Sequence, residues 1–166
     1  MLTRRGALAC GINGLAALAL GSVLRPGIGL AAEDAGGHIT HTDAEWRKLL
    51  TPQQYWILRE DGTELPYSSP LLNEHRHGIF ACAGCGLDLF SSDTKFDSHT
   101  GWPSFWAPLK DAVLTKEDRS LGMIRTAVMC RRCEGHLGHV FHDGPPPTGL
   151  RYCMNGLALV VKAASA

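Results

Sequence analysis

Two Cys-x-x-Cys pairs constrain the fold of this chain more than any other feature of its sequence. The first pair is Cys82 and Cys85, the second is Cys130 and Cys133, and 44 residues (86–129) separate them. Each pair can direct two thiolates at one ion, and two pairs complete the tetrahedral shell of a structural zinc site. A closed four-thiolate shell leaves no position for a substrate, so we expect one zinc ion per chain that supports the fold. Disulfides and a dithiol redox centre are alternative uses of these cysteines.

Residues 1–32 have the composition of an export signal. Adjacent arginines, Arg4 and Arg5, precede an apolar run over 7–24 that carries no charge. Small residues at 30–32 then offer a cleavage point. These are the three parts of a secretory signal peptide, and the arginine pair resembles a twin-arginine signal. We therefore predict a periplasmic or otherwise exported protein with no stable membrane association after signal removal. An uncleaved anchor is the alternative, because the run is nearly long enough to span a bilayer.

A linker at 33–41 precedes a single predicted domain at 42–166, which is large enough to bury a core. Three arginines belong to the signal, which leaves 16 − 3 = 13 basic residues against 16 acidic ones. This mildly acidic balance gives no reason to expect binding to nucleic acid or to an anionic membrane surface.

The pattern of the domain predicts two helices followed by β-strands. Thr42 and Thr51 each open a helix as an N-cap residue. The two helices should end near Leu50 and Glu60. From Gly78 onward, short apolar runs broken by glycine, proline and serine predict strands. The predicted strands are 78–81, 87–90, 94–98, 113–116, 122–129, 139–142, 150–155 and 157–161. We therefore predict a mainly β fold of antiparallel sheets that form a small barrel or sandwich, with a short helical N-terminal part and a four-cysteine zinc site.

Cys153 is the one cysteine of the predicted domain outside the two pairs. Its segment, 149–156, has the pattern of a strand, in which side chains alternate between two faces. One face is apolar and the other carries a cation, a thiol and an amide: Leu150, Tyr152 and Met154 against Arg151, Cys153 and Asn155. A guanidinium beside a thiol favours the nucleophilic thiolate. A small buried hydrophobe is the alternative role for a lone cysteine.

Two further segments supply groups that a reactive thiol can use. His136 and His139 follow the second cysteine pair, and Gly138 would let the first histidine turn onto the strand face of the second. Phe141 shares that face. Two imidazoles near a thiol can transfer protons close to neutral pH. Trp102, which the following proline biases toward an extended backbone, could line a small apolar pocket. Ordinary core packing is the alternative for the aromatic residues around it.

With these residues in view, the chain from about Trp46 to Val160 resembles methionine-R-sulfoxide reductases of the B type. Six motifs carry the resemblance: Cys82-x-x-Cys85, Phe90-Ser-Ser-x-Thr-Lys-Phe-Asp-Ser98, Gly101-Trp-Pro-Ser-Phe105, Cys130-x-x-Cys133, His136-Leu-Gly-His-Val-Phe141 and Arg151-Tyr-Cys-x-Asn155. The motifs cover most of the predicted domain, and they occur in the order and at the spacings of the family.

The resemblance implies an enzyme that reduces R-epimer methionine sulfoxide, free or in proteins, through a sulfenic acid on Cys153. It implies a largely antiparallel β-fold with structural zinc on the paired cysteines. Trp102 and Phe141 would contact the substrate, with the tryptophan receiving its terminal methyl group. The other implied site residues surround the sulfoxide oxygen or the thiol: His136, His139, Asn155 and Arg151.

The chain departs from the family pattern at three positions near the predicted pocket. Many relatives carry a resolving cysteine two positions before the pocket tryptophan, where this chain has Thr100. We therefore predict that no intramolecular disulfide forms and that an external thiol, from a thioredoxin-like protein or a small molecule, reduces the sulfenic acid. His99 and Gly156 stand where glycine and serine are usual.

Two other functions are compatible with the sequence. A non-catalytic, zinc-stabilised β-domain could act as a binding module, although Arg151, Cys153 and Asn155 on one face argue against it. A dithiol oxidoreductase could use a Cys-x-x-Cys pair directly. That third function predicts loss of zinc on oxidation and full activity without Cys153.

Overall fold

The fold is taken from a computed structural model that describes residues 37–164. The predicted export signal at 1–32 and the first residues of the linker lie outside the described residues. Within residues 37–164, no helix is both long enough and apolar enough to cross a membrane.

Two short helices open the described part of the chain, as predicted. Helix α1 spans Asp43–Leu49 and helix α2 spans Pro52–Glu60. Thr42 caps the first helix and Thr51 caps the second, each in a reciprocal capping box with the side chain three residues later. Since a capping box satisfies amide groups that a helix leaves unpaired, both helices can start sharply at these threonines.

Nine strands follow, and every neighbouring pair is antiparallel. They are β1 Gly78–Cys82, β2 Asp88–Ser91, β3 Lys95–Phe96, β4 Ser104–Phe105, β5 Val113–Asp118, β6 Arg125–Cys130, β7 His136–Phe141, β8 Arg151–Met154 and β9 Leu159–Ala163. A three-stranded sheet has the order β2-β1-β9, and a six-stranded sheet has the order β3-β4-β8-β7-β6-β5. The predicted mainly β, antiparallel fold with a short helical N-terminal part is confirmed.

Aromatic side chains join the two sheets. Phe105 of the six-stranded sheet stacks on Phe90, with ring centroids 4.5 Å apart, and meets Phe80 edge-on at 4.9 Å. Phe80 and Phe90 belong to the three-stranded sheet, and all three rings are fully buried. Ring pairs of this geometry add to the stabilisation that burial itself provides, so this cluster holds the sheets together.

Most strand boundaries differ from the predicted ones. Strand β6 begins at Arg125, three residues later than expected, because residues 120–122 form a single helical turn. The short strand β4 was not predicted, because its two residues follow a proline and show no alternation of their own. Strand β7 begins at His136, three residues earlier than expected. The last strand begins at Leu159 and not at 157, because residues 156–158 form a single helical turn.

Candidate active site and metal centre

The two cysteine turns have the same backbone geometry. In each, the first cysteine donates its N–H to the carbonyl five residues on and accepts a hydrogen bond from the N–H four residues on. These bonds join Cys82 to Leu87 and Gly86, and Cys130 to Gly135 and Glu134, at 2.8–2.9 Å. Gly86 and Glu134 occupy equivalent positions with positive φ angles of 73° and 54°. The left-handed residue of the second turn is therefore the glutamate and not the glycine after it.

The turns bring four sulfur atoms within 4.8 Å of one another. Cys82 lies at the end of β1 and Cys130 at the end of β6, so the cluster connects the two sheets. The Sγ atoms of Cys82 and Cys133 are 3.7 Å apart, and those of Cys85 and Cys130 are 3.5 Å apart. A disulfide needs about 2.05 Å, and all four residues are free thiols, so the disulfide alternative is not supported. Four convergent sulfurs, mostly buried, form a donor set that fits one tetrahedral metal ion.

Strand pairing places the candidate catalytic groups on one face of the six-stranded sheet. His139 of β7 pairs with Cys153 of β8, and partners across a ladder share a face. His136 pairs with Met129, and His139 pairs with Ala127, two residues away on β6. A β-bulge between Val128 and Met129 makes this register possible, so two histidines three residues apart lie on the same face. Their ring centroids are 5.2 Å apart.

The Cys153 thiol is largely buried, and its surroundings act on its pKa in opposite directions. Burial is the largest influence and raises the pKa above its usual value. Thr100, whose Oγ1 lies 3.8 Å from Sγ, lowers the pKa, as do Arg151 and Ser104. The net shift is upward, so the resting residue is mainly a thiol near neutral pH. The expected effect of Arg151 has the predicted direction but does not outweigh burial.

Arg151 is held in place by two contacts besides its proximity to the thiol. Its Nε and Nη2 donate to the two carboxylate oxygens of Asp143 at 2.8 and 2.9 Å. Its guanidinium carbon also lies 4.3 Å from the centre of the Phe141 ring. Such a bidentate pair and cation–π contact fix the orientation of the guanidinium. Phe141 therefore contacts the arginine and also lines the cavity at Cys153.

The two histidines differ in their environment. His136 is almost completely buried, and burial lowers its pKa to about 4, so its ring is neutral near pH 7. His139 accompanies Cys153 in the lining of one cavity, whereas His136 lines the neighbouring polar cleft. Burial also lowers the pKa of His139, but a hydrogen bond to Asp118 opposes that effect. Of the two rings, His139 is thus the better placed to exchange a proton at the thiol.

Asp118 is a site residue that the sequence did not reveal. Its Oδ2 lies 2.8 Å from His139 Nε2 and accepts a hydrogen bond from Arg125 at 2.6 Å. Hydrogen bonds from Ser120, His139 and Arg125 hold the pKa of Asp118 below its usual range. Because the ionised carboxylate can only accept, the neutral His139 ring carries its proton on Nε2 and leaves Nδ1 free.

A cavity of about 200 Å³ opens beside Cys153. Trp102 and Phe141 supply its aromatic lining, and His139, Asn155 and Cys153 supply its polar groups. Asn155 is buried, and both ends of its amide bind backbone: Oδ1 accepts from Glu64 N at 3.0 Å, and Nδ2 donates to Leu137 O at 3.2 Å. Its second Nδ2 hydrogen is the one left for a ligand.

Two glycines near the cavity are required by close packing. A Cβ at Gly138 would overlap the carbonyl oxygen of Cys153, because β7 and β8 pass directly against each other there. A Cβ at Gly156 would overlap the side chain of Ser69, which is buried before the turn at 70–73. The departure at Gly156 therefore has a structural cause, since Ser69 occupies the space. His99, by contrast, is exposed and has a positive φ of 56°.

The structure places most of the predicted site residues together at this cavity. Cys153, His139, Trp102, Phe141 and Asn155 line it. Arg151 does not line the cavity but lowers the pKa of the Cys153 thiol. His136 lies behind His139, with their ring centroids 5.2 Å apart.

Comparison with known proteins gives a consistent family assignment. A model of the SelR domain matches residues 50–163. The chain is 54% identical over 123 residues to peptide methionine sulfoxide reductase MsrB of Agrobacterium fabrum, which covers 74% of this chain and 91% of that protein. Proteins of the same name are 53% identical in Leptospira interrogans, over 73% of this chain and 93% of that protein, and 56% identical in Thiobacillus denitrificans, over 71% and 90%.

The match covers more than half of the chain and includes both cysteine turns, the strand of Cys153 and the histidine pair. The chain therefore belongs to the SelR domain family, together with the MsrB peptide methionine sulfoxide reductases.

Proposed function

We propose that this protein reduces the R epimer of methionine sulfoxide to methionine, with Cys153 as the nucleophile. The observation that carries the proposal is the pairing of Cys153 with His139 at a cavity lined by Trp102 and Phe141. Aromatic walls suit the methyl and methylene groups of the substrate, and the thiol, imidazole and amide suit the sulfoxide. The relatives named peptide methionine sulfoxide reductase MsrB support this assignment.

In the proposed reaction, the Cys153 sulfur attacks the sulfoxide sulfur. The proton that the thiol loses passes to the sulfoxide oxygen, and His139 transfers it. The attack forms a bond between the two sulfur atoms, and this bond and the S–O bond of the substrate both break as the protonated oxygen is transferred to Cys153. Methionine leaves, reduced by two electrons, and Cys153 is oxidised to a sulfenic acid. Since burial raises the pKa of the thiol, the proton needed by the oxygen is present on the resting enzyme.

The cycle then needs an external thiol. The hydroxyl of Thr100 is the group near Cys153 where a resolving thiol would lie, and a hydroxyl forms no disulfide. Within residues 37–164, the other four cysteines make up the sulfur cluster. A first external thiol attacks the sulfenic sulfur and releases water. A second breaks the mixed disulfide and restores the Cys153 thiol. A thioredoxin-like protein or a small thiol can supply both.

The same proposal assigns one structural zinc ion to the four-sulfur cluster. Thiolate ligands in tetrahedral sites favour zinc, which undergoes no redox chemistry. The ion would be held by Cys82, Cys85, Cys130 and Cys133 and would support the junction of the two sheets. It takes no part in the reduction, because four protein ligands leave no position for the sulfoxide.

The test is the reduction of separated R and S epimers of a methionine sulfoxide derivative with dithiothreitol. We expect the R epimer alone to be consumed. In a single turnover without reductant, the mass of the protein should rise by one oxygen atom, located on Cys153 by peptide mapping. Consumption of neither epimer would favour the binding-module function. A disulfide between Cys153 and a cluster cysteine would contradict the one-cysteine cycle.

We also propose that the enzyme acts outside the cytoplasm, where it would repair oxidised exported proteins. This part of the proposal is based on the basic, apolar and small-residue segments at 1–32. Protein isolated from the periplasm of the producing cell should begin at or near Glu33 when its N-terminus is sequenced. Full-length protein confined to the cytoplasm would contradict the proposal.

A further inference from the structure

Glu64 is a buried carboxylate that the proposed reaction leaves without a role. It follows helix α2 in an irregular segment, and 4% of its surface is exposed. Carboxylates are rarely buried to this extent unless their oxygens are bound, because the loss of hydration is costly. Burial accordingly raises the pKa of Glu64, while hydrogen bonds from two backbone amides oppose that shift.

The backbone of Glu64 contacts two of the residues that line the cavity at Cys153. Its N–H donates to Oδ1 of Asn155 at 3.0 Å, and its carbonyl accepts from Nε1 of Trp102 at 3.1 Å. One peptide segment thus fixes the orientation of the Asn155 amide and of the Trp102 indole. Trp102 and Asn155 belong to different loops and lie 53 positions apart in the sequence. Glu64 is the residue that both of them bind.

The side chain of Glu64 fixes that segment to the turn that follows the strand of Cys153. Oε1 accepts from the N–H of Gly156 at 2.6 Å, and Oε2 accepts from the N–H of Leu157 at 3.0 Å. These amides begin the helical turn that directly follows Asn155. Hydrogen bonds to an ionised acceptor are stronger than neutral ones, particularly where water is excluded.

We propose that Glu64 is a positioning residue for sulfoxide binding, which sets the distance and orientation of Trp102 and Asn155 relative to Cys153. The inference rests on the proposed function, since it concerns the cavity of that reaction. The Glu64 carboxylate binds the Gly156 and Leu157 amides, and none of these three residues lines the cavity. Glu64 therefore acts through the residues it holds. Its loss should therefore weaken substrate binding more than it alters the reactivity of the thiol.

The test is the substitution Glu64→Gln, which keeps the size of the side chain. The glutamine amide keeps one acceptor oxygen, but its NH₂ group is a donor and cannot accept from the second backbone N–H. One of the two hydrogen bonds is therefore lost. We expect KM for the R sulfoxide to rise by about tenfold, the order expected for one lost charge-assisted hydrogen bond, with a smaller change in kcat. The alkylation rate of Cys153 by iodoacetamide and the metal content should stay at wild-type values. The matched control is Glu60→Gln, at an exposed glutamate four residues earlier.

A second measurement is independent of activity. The Gly156 and Leu157 amides and the Trp102 indole should exchange hydrogen faster in Glu64→Gln than in the wild type, as followed by NMR. Unchanged KM together with unchanged exchange would overturn the inference, and so would equal losses in kcat/KM and alkylation rate. If the wild type reduces no sulfoxide, the proposed function fails. Slower hydrogen exchange in the wild type than in Glu64→Gln would still support the positioning contacts.

Discussion

Replacing Cys153 with serine should reduce the turnover of R-epimer methionine sulfoxide by more than about a thousandfold, because loss of a catalytic nucleophile commonly costs several orders of magnitude. A serine hydroxyl is a far weaker nucleophile than a thiol and cannot form a sulfenic acid. The fold should be retained, since the side chain is small and lies at the edge of a cavity. The measurement is the rate of sulfoxide reduction with dithiothreitol in excess.

The control for this variant is its metal content and thermal unfolding, which should match those of the wild type. Cys153→Ser leaves the four cluster cysteines intact, so a dithiol centre at Cys82 and Cys85 would be unaffected. Activity that survives the substitution would therefore contradict the proposed mechanism and favour the dithiol oxidoreductase. Loss of both metal and folding would instead show that Cys153 is structural.

Replacing Cys130 with serine should abolish metal binding and prevent cooperative folding. Structural zinc in small domains contributes about 10–16 kcal/mol, which is comparable to the total stability of about 5–15 kcal/mol of an ordinary domain. Cys130 also lies at the end of β6, where the cluster joins the two sheets, so the loss affects both of them. Metal analysis and thermal unfolding by circular dichroism measure the effect. A chelator that removes the ion from the wild type should produce the same unfolding.

Arg131→Ala is the matched control in the same turn. Its side chain is exposed and reaches Asp111 only at 3.9 Å, so its removal should change the unfolding temperature by at most a few degrees. The prediction fails if Cys130→Ser keeps a cooperative transition at the wild-type temperature. Retention of one equivalent of metal by that variant would also contradict a four-cysteine site.

The features that the sequence predicted correctly depend on residues close to one another along the chain. The capping boxes at Thr42 and Thr51 need two residues three positions apart, and both helices begin there. The cysteine turns depend on bonds within six residues, so their spacing alone indicates the cluster. The alternation around Cys153 likewise follows from a single strand, whose side chains must take opposite faces.

The features that escaped prediction depend on distant pairings. The sequence predicted that His136 turns onto the face of His139 at Gly138, but the bulge at Val128 that aligns the two residues exists only once β6 and β7 pair. Asp118 reaches His139 because β5 and β6 pair in a particular register. Glu64 stands in a segment without periodicity, where a glutamate ordinarily indicates an exposed loop. The motifs predicted the residues that line the cavity. They did not predict Asp118 and Glu64, which orient those residues.

The contact between Ser69 and Gly156 has a consequence for engineering by consensus. Ser69 caps the turn at 70–73 by accepting from Leu71 N at 3.1 Å, and its side chain fills the space beside Gly156. The two positions share one volume although 86 residues lie between them, 70–155. A consensus design that treats each position separately would restore the usual serine at 156 and place two side chains in that volume. A side chain at 156 therefore requires a smaller residue at 69, so the two positions have to be changed together.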